Sequence, residues 1–319
     1  MKIAITGSIA YDYIMHYPGE FKEMLIAESL DHISVSFLVD DMTRHHGGVA
    51  PNIAYTLALL GERPVLVGTA GADFAEYRTR LEEVGVDTSG TRVYADCFTA
   101  SFFVATDKAY NQIAMFYSGA MARARDLTLA EAVPGVPDLV VISPNDPQAM
   151  HNLIAECKAR GIPYLYDPSQ QVARVDGAAL AEGVEGAYLL VLNEYEYEAL
   201  RRKTGFTHDD LLRKANVVIV TRGVNGSDIY TQDATYHIPI VPTEAIKDPT
   251  GVGDGFRAGL LKGLAAGWPW EISGRVGALA ATYVLEQVGT QNHHYTRAEF
   301  VSRFRQHFDD GGLLNAMLD

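Results

Sequence analysis

Asp254 stands in DPTGVGDGFRAG, residues 248–259, with glycines at 251, 253 and 255 around it and a helix-like stretch just beyond. Two chemistries use a glycine-rich turn at a helix start. One is dinucleotide binding, which needs G-x-G-x-x-G directly after a strand and an acidic ribose-binding residue about twenty positions later. Here the spacing is G-x-G-x-G, IKDPT intervenes, and GLAAGWPWEISG downstream offers only Glu271, away from any strand end. The other chemistry is anion stabilisation beside a base. Gly251 and Gly253 permit dihedrals that expose consecutive N–H groups, and Pro249 stiffens the approach. Those amides lie at the positive tip of a helix beginning near Asp254, a pocket for developing negative charge. The same tip favours Asp254 as a carboxylate, ionised at neutral pH. A weak base suffices for phosphoryl transfer to a hydroxyl, because the transition state is loose and the attacking oxygen keeps its proton until late. A glycine-rich helix start with an early Asp also occurs in proteins without activity, so the motif alone leaves both readings open.

Other polar residues fall where a site is expected in an open α/β sheet. Asp12, Asp167, Asn193, Thr221 and Arg222 each follow a strand-like run, and ligands sit outside the carboxyl ends of such strands. The opening KIAITGSIAYDYI reads as a buried strand ending at Gly7, with Asp12 just beyond. GGVAPNIAYTLALLG (47–61) reads as a glycine turn and a helix stopped by Gly61. PVLVGTAG (64–71), DLVVIS (138–143), PYLYDP (163–168), AYLLVLN (187–193) and NVVIVTRG (216–223) are further strands, several separated by helical stretches. Continuous apolar strands between helices predict an α/β fold, a mostly parallel central sheet covered on both faces. DHISVSFLVDDM alternates, as a half-exposed strand does, and residues 96–120 read as a hairpin. These alternating strands, at about 30–40 and 96–117, do not suit that sheet and are expected to form a small β-lid over one edge.

With 319 residues and 48% hydrophobic content the chain can bury a large core. Its 26 basic and 40 acidic residues give a net charge of −14. That excludes nucleic acid or an anionic membrane as the expected partner, because both require a basic surface. The N-terminal run turns polar too early for a signal peptide, and no apolar run reaches the roughly 18 residues of a membrane span. Cys97 and Cys157 lie far apart with no zinc spacing, so a cytoplasmic, disulfide-free protein is expected.

Four stretches in one order carry a resemblance that covers nearly the whole chain. DPTGVGDGFRAG, GGVAPNIAYTLALLG, NEYE (193–196) and TRGVNG (221–226) resemble the motifs of the PfkB/ribokinase family, and within it the chain looks most like the bacterial, ribokinase-like adenosine kinases. ITGSIAYDYIMHYPG, VSFLVDDM, DPSQQVARV and VGTQ add to that likeness. The resemblance implies a single ribokinase-like domain over 1–319, with a lid from about 16–45 and 96–118. It implies transfer of the γ-phosphoryl of ATP to the 5′-hydroxyl of adenosine, with Mg²⁺ and, as in some relatives, a monovalent cation such as K⁺. Asp254 would be the base, and Gly251, Val252 and Gly253 would line the anion hole. Gly47 and Gly48 would form the lid hinge. Ser8, Asp12, Ser36, Gly48 and Asn52 would hold the ribose or base, Phe102 and Phe116 would contact the purine, and Phe37 would come across a dimer. Gln171 and Arg174 would lie near the site. Asn193, Glu196, Thr221, Arg222, Gly223 and Gly226 would surround ATP, with Glu196 acting on magnesium through a water, since Mg²⁺ tends to keep its waters. Val252, where many relatives have Ala, and Pro51, which suits a first helical turn, are mild departures.

A sugar and a nucleoside share the ribose, so Asp12 and Asn52 do not choose between them. A purine adds a flat face, and base–aromatic stacking is worth about 1–3 kcal/mol per base. In strict alternation Phe102 and Phe103 face opposite ways, so only one meets the ligand; strand aromatics often only pack. The alternatives are another nucleoside or a sugar such as ribose or fructose as substrate, or a binding protein that keeps the fold without catalysis. The apolar run ISVSFLVDD (33–41) would be hazardous as an exposed edge, which predicts a homodimer through the lids. Arg222 and Arg257 are each open to phosphate or to solvent, and Asp167 to magnesium or to a plain loop carboxylate before Pro168. Adjacent histidines, 45–46 and 293–294, seldom share a metal.

Overall fold

The computed structural model describes residues 1–24 and 34–318. The chain begins with β1 (Ile3–Thr6) and β2 (Ala10–His16), and β3 (Asp41–Gly47) runs into the Val49–Leu59 helix and then β4 (Val65–Gly71). After β5 (Thr91–Tyr94) come the hairpin strands β6 (Ala100–Thr106) and β7 (Gln112–Tyr117). Next, β8 (Leu139–Ile142), β9 (Tyr164–Tyr166), β10 (Leu189–Asn193) and β11 (Val217–Thr221) alternate with helices. A last hairpin, β12 (Ser227–Tyr230) and β13 (Thr235–Ile238), precedes the paired helices Val252–Ala265 and Trp270–Leu285.

Nine strands form one sheet in the order β13-β12-β11-β10-β9-β8-β1-β4-β5. It is parallel from β11 to β5 and ends in the antiparallel β12–β13 hairpin. Its central strands are apolar throughout because both faces are covered. Leu139, Val141, Val191 and Ile219 belong to one core, and their neighbours Val140, Ile142, Leu190 and Val220 to the opposite one. Alternate side chains of one strand therefore serve two layers of helix.

The second sheet has the order β3-β2-β6-β7, with β2 and β6 parallel and the outer pairs antiparallel. It is the lid, and its placement corrects two expectations. Asp12 is not in a loop after β1 but inside β2, so the lid sheet starts at Ala10, earlier than 16. The described part of the run at 30–40 is not its strand: residues 34–40 alternate between exposed and half-buried yet make no ladder, and β3 begins only at Asp41. Residues 30–33 of that run lie outside the described residues. The alternation is met instead by aromatic packing, as Phe37 sits edge-on to Tyr17 and Phe21. Among the described residues no helix is long and apolar enough to cross a membrane.

Candidate active site

Gly251 caps the Val252–Ala265 helix in the left-handed region, φ 77°, where a Cβ would also stand 2.8 Å from the Thr290 side chain. That turn aims the first amides of the helix outward. Those of Gly253 and Asp254 have no intrahelical acceptor, and the Val252 amide reaches only the Pro249 carbonyl, at 3.4 Å. Gly251, Gly253 and Asp254 line a polar cavity of about 260 Å³, together with Asp167, Asn193, Glu196, Thr221 and Arg257. Asp167 follows β9, and Asn193 and Thr221 end β10 and β11, so the cavity lies at the carboxyl edge of the sheet.

Asp254 is buried. Its Oδ2 accepts from Asn52 Nδ2 at 2.9 Å, and its Oδ1 lies 3.7 Å from Arg257 Nη1. Burial pushes the carboxyl up to about 6, against the pull of Arg257 and Asn52, and it is still mostly ionised at neutral pH. Arg257 turns to neither solvent nor free space: its Nε donates to Asp167 Oδ2 at 2.7 Å. Room for its guanidinium exists because Gly253 lacks a side chain, since a Cβ there would lie 2.8 Å from Nη1.

NEYE proves to be a helix start. Asn193 Oδ1 accepts from the Glu196 amide and Glu196 Oε2 from the Asn193 amide, each at 2.8 Å, a reciprocal cap on the Glu194–Thr204 helix. Burial raises the Glu196 carboxyl. One Glu196 oxygen is thus spent on the backbone, while Asp167 Oδ1 is buried with no hydrogen-bond partner. Acceptors of this kind beside a polar cavity suit a hydrated Mg²⁺ held through its waters.

Two further cavities flank the glycine turn. An apolar one of about 480 Å³ is lined by Thr221, Gly223, Gly226, Ile240, Ile246 and Phe256, among others. The third, about 350 Å³, is lined by Asp12, His45, Phe102, Asp248, Gly289 and Thr290, among others. The turn is the wall between them: Pro249 and Val252 face the apolar cavity, Asp248 and Thr250 the third. Burial raises the Asp12 carboxyl to about 6, opposed by His45. Asp12 fits only because residue 47 is glycine, since a Cβ there would be 2.3 Å from its Oδ2. Gly48, φ 92°, makes the turn from β3 into the Val49–Leu59 helix, with Ser8 Oγ accepting from the Val49 amide at 3.3 Å.

Other expected residues lie elsewhere. Asn52 is behind the candidate base, its Oδ1 accepting from Thr290 Oγ1 and Gln291 Nε2 at 2.8 Å each, and it lines none of the three cavities. Ser36 is exposed and Phe37 packs on Tyr17 and Phe21, outside all three cavities. Phe116 is paired across the strands with Phe102 but is largely exposed, while Phe103 stacks on Tyr13. Gln171 is buried, donating to the Asn145 carbonyl at 2.8 Å, and Arg174 is exposed. Arg222 points away from the polar cavity to Asp228, 3.0 Å, and Tyr230. Sequence reading missed His45, Asp248, Tyr77 and any role for Thr290 and Gln291; the last two sit in VGTQ, but nothing in that tetrapeptide says which residues it meets.

A doubly covered parallel sheet with a strand-built lid, and a helix tip beside a buried carboxylate, define a ribokinase-like phosphotransferase. The chain belongs to the pfkB family of carbohydrate kinases, whose model matches residues 6–297, and it is an ATP-dependent phosphotransferase. Its relatives include the nucleoside kinase of Methanothermobacter thermautotrophicus, 32% identical over 94% of this chain and 94% of that protein. The nucleoside kinase of Methanocaldococcus jannaschii is 30% identical over 96% of this chain and 97% of its own length. The solved structure of Burkholderia thailandensis nucleoside kinase in complex with inosine superposes with a TM-score of 0.83 at 37% identity, covering 96% of this chain and 98% of that one.

Proposed function

We propose that the protein is a nucleoside kinase that transfers the γ-phosphoryl of MgATP to the 5′-hydroxyl of adenosine, giving AMP and ADP. The observation that carries this reading is Asp254: a buried, mostly ionised carboxylate in the first turn of a helix, with an apolar cavity on one side of its turn and an Asp- and Phe-lined cavity on the other. The nucleoside kinases among its relatives support the substrate class.

In this reading Asp12 accepts hydrogen bonds from the ribose hydroxyls, each worth about 1.5–3 kcal/mol to a charged acceptor. Phe102 offers the purine its face. The apolar cavity beyond Thr221 takes the base of ATP, and the amides of Gly253 and Asp254 receive the charge that develops during transfer. Asp254 accepts the hydroxyl proton late in the step. Arg257 keeps Asp254 ionised in an acidic cluster. Glu196 and Asp167 would hold a hydrated Mg²⁺, which would supply charge neutralisation for the triphosphate. The lid excludes water, which would otherwise take the phosphoryl group.

The lid sheet has open edges at β3 and β7, and β7 is exposed from Gln112 to Tyr117. Met115, Phe116 and Tyr117 stand out from it. A second copy covering this face makes a homodimer, and light scattering that finds only monomer would remove it. Both cysteines are free, in keeping with a cytoplasmic location.

The deciding experiment is ADP release across a panel of nucleosides and sugars, with Mg²⁺ and with or without K⁺. Adenosine should be the best acceptor. Faster turnover of ribose or fructose would overturn the nucleoside reading, and no ADP with any acceptor would leave a binding protein.

A further inference from the structure

The proposed mechanism leaves one set of buried polar groups unused, and they form a continuous chain. It starts at Asp254, which as a carboxylate can only accept. Asn52 must therefore turn Nδ2 towards it and Oδ1 away. Oδ1 then needs donors, and receives Gln291 Nε2 and Thr290 Oγ1, both at 2.8 Å. The same Gln291 nitrogen donates to the Tyr77 hydroxyl, which in turn donates to the Gly47 carbonyl at 2.9 Å. The His46 carbonyl lies 3.0 Å from the same Thr290 Oγ1, whose single proton is shared between it and Asn52 Oδ1.

Every direction from Asp254 through Asn52, Gln291 and Tyr77 to the Gly47 carbonyl follows from the charge at one end. Asn52, Tyr77, Thr290 and Gln291 are all buried, so water does not compete for their partners. Gln291 Oε1 is left buried without a partner. An orphaned carbonyl is unfavourable, and it stays because turning the amide over would set that oxygen against Asn52 Oδ1. The chain, not local satisfaction, fixes the Gln291 rotamer. Its far end is the foot of the lid: Gly47 closes β3 opposite Ala10 of β2 and precedes the Gly48 turn. Four separate pieces of chain, β3, the Val49–Leu59 helix, the Ala75–Glu83 helix and the loop at 288–292, are thereby tied to one carboxylate.

We propose that Tyr77 and Gln291 are positioning residues that hold Asp254 in register with the foot of the lid, so that its carboxylate is aimed at the acceptor only while Gly47 is seated. This rests on the reading of Asp254 as the base. Neither residue lines any of the three cavities; both act through Asn52.

The test uses the full-length protein, MgATP and whichever nucleoside releases ADP fastest, with Tyr77→Phe, Gln291→Met, the double variant and Asp254→Asn. We expect kcat to fall at least about tenfold in each single variant, as misaimed groups do, with KM for ATP within about twofold. Because Asn52 donates to the ionised carboxylate, loosening it should also move the acid limb of kcat to higher pH. The double variant should be no worse than the poorer single one, since both cut the same chain. A folded Tyr77→Phe with normal kcat, beside an inactive Asp254→Asn, overturns the proposal. So does a loss of thermal stability with an unmoved acid limb. If Gln291→Met does not fold, Tyr77→Phe, which removes a single oxygen, decides alone. An active Asp254→Asn is a different failure: it removes the base itself.

Discussion

The Arg257 guanidinium closes on Asp167 through Nε, 2.7 Å from Oδ2, while Nη1 stays 3.7 Å from Asp254 Oδ1. One buried cation is thus shared between a carboxylate that it neutralises and another whose charge it supports. Arg257→Gln should leave Asp167 buried and uncompensated, a loss of about 3–5 kcal/mol by analogy with other broken buried pairs. It should also raise the Asp254 carboxyl further, moving the acid limb of activity upward. Thermal melts and a pH–rate profile check both. An unchanged acid limb would mean that Arg257 serves packing alone.

Asp254→Asn should bind nucleoside nearly as the parent does and lose turnover by about 10²–10⁴, the usual contribution of a positioned general base. Calorimetric titration and single-turnover assays separate the two. Turnover near that of the parent would remove Asp254 from the chemistry.

Burial holds Asp254 near 6, above an ordinary carboxylate. The folded protein therefore binds this proton more tightly than the unfolded chain. The residue's contribution to stability is greatest below the unfolded value near 4 and declines as pH rises towards about 6, by roughly 3 kcal/mol in all. Asp254→Asn should thus gain on the parent in melting temperature between pH 4 and 7. Activity should fall on the acid side with an apparent midpoint near 6, shared between Asp254 and Asp12.

Gly47→Ala would drive a methyl group into the Asp12 carboxylate. KM for the acceptor should rise about tenfold or more, the equivalent of one charged hydrogen bond, with KM for ATP little changed. An equal rise for both substrates would place the damage in the lid as a whole.

Phe102→Ala should weaken adenosine by about 1–3 kcal/mol, the range for one stacked base, and leave a free sugar almost unaffected. Phe116→Ala, at an exposed site, should do less. Equal losses for nucleoside and sugar would mean that Phe102 only packs the lid.

The main sheet was legible because its strands are apolar on both sides, and short runs of that kind seldom arise outside a doubly covered sheet. The lid was half legible. Residues 96–117 hold a hairpin, but alternation over 34–40 marked a segment outside the ladder, where Phe37 packs on Tyr17 and Phe21, and β2 was hidden by its nearness to β1. Asp254 and its glycines could be located because local geometry is written in neighbouring residues. The contacts of Asn52, Arg257 and Arg222 could not, since their partners lie 202, 90 and 6 residues away along the chain. NEYE shows a related limit: a capping pair and a magnesium-facing pair are written with the same letters.

Pro249 and Val252 line one cavity and Asp248 and Thr250 the other, so in the proposed reading donor and acceptor approach the phosphorus atom from opposite sides. On that reading no side chain need carry the group between them, and a single displacement is expected. A γ-phosphorus made chiral with oxygen isotopes should emerge with its handedness reversed, and retained configuration would overturn the single displacement.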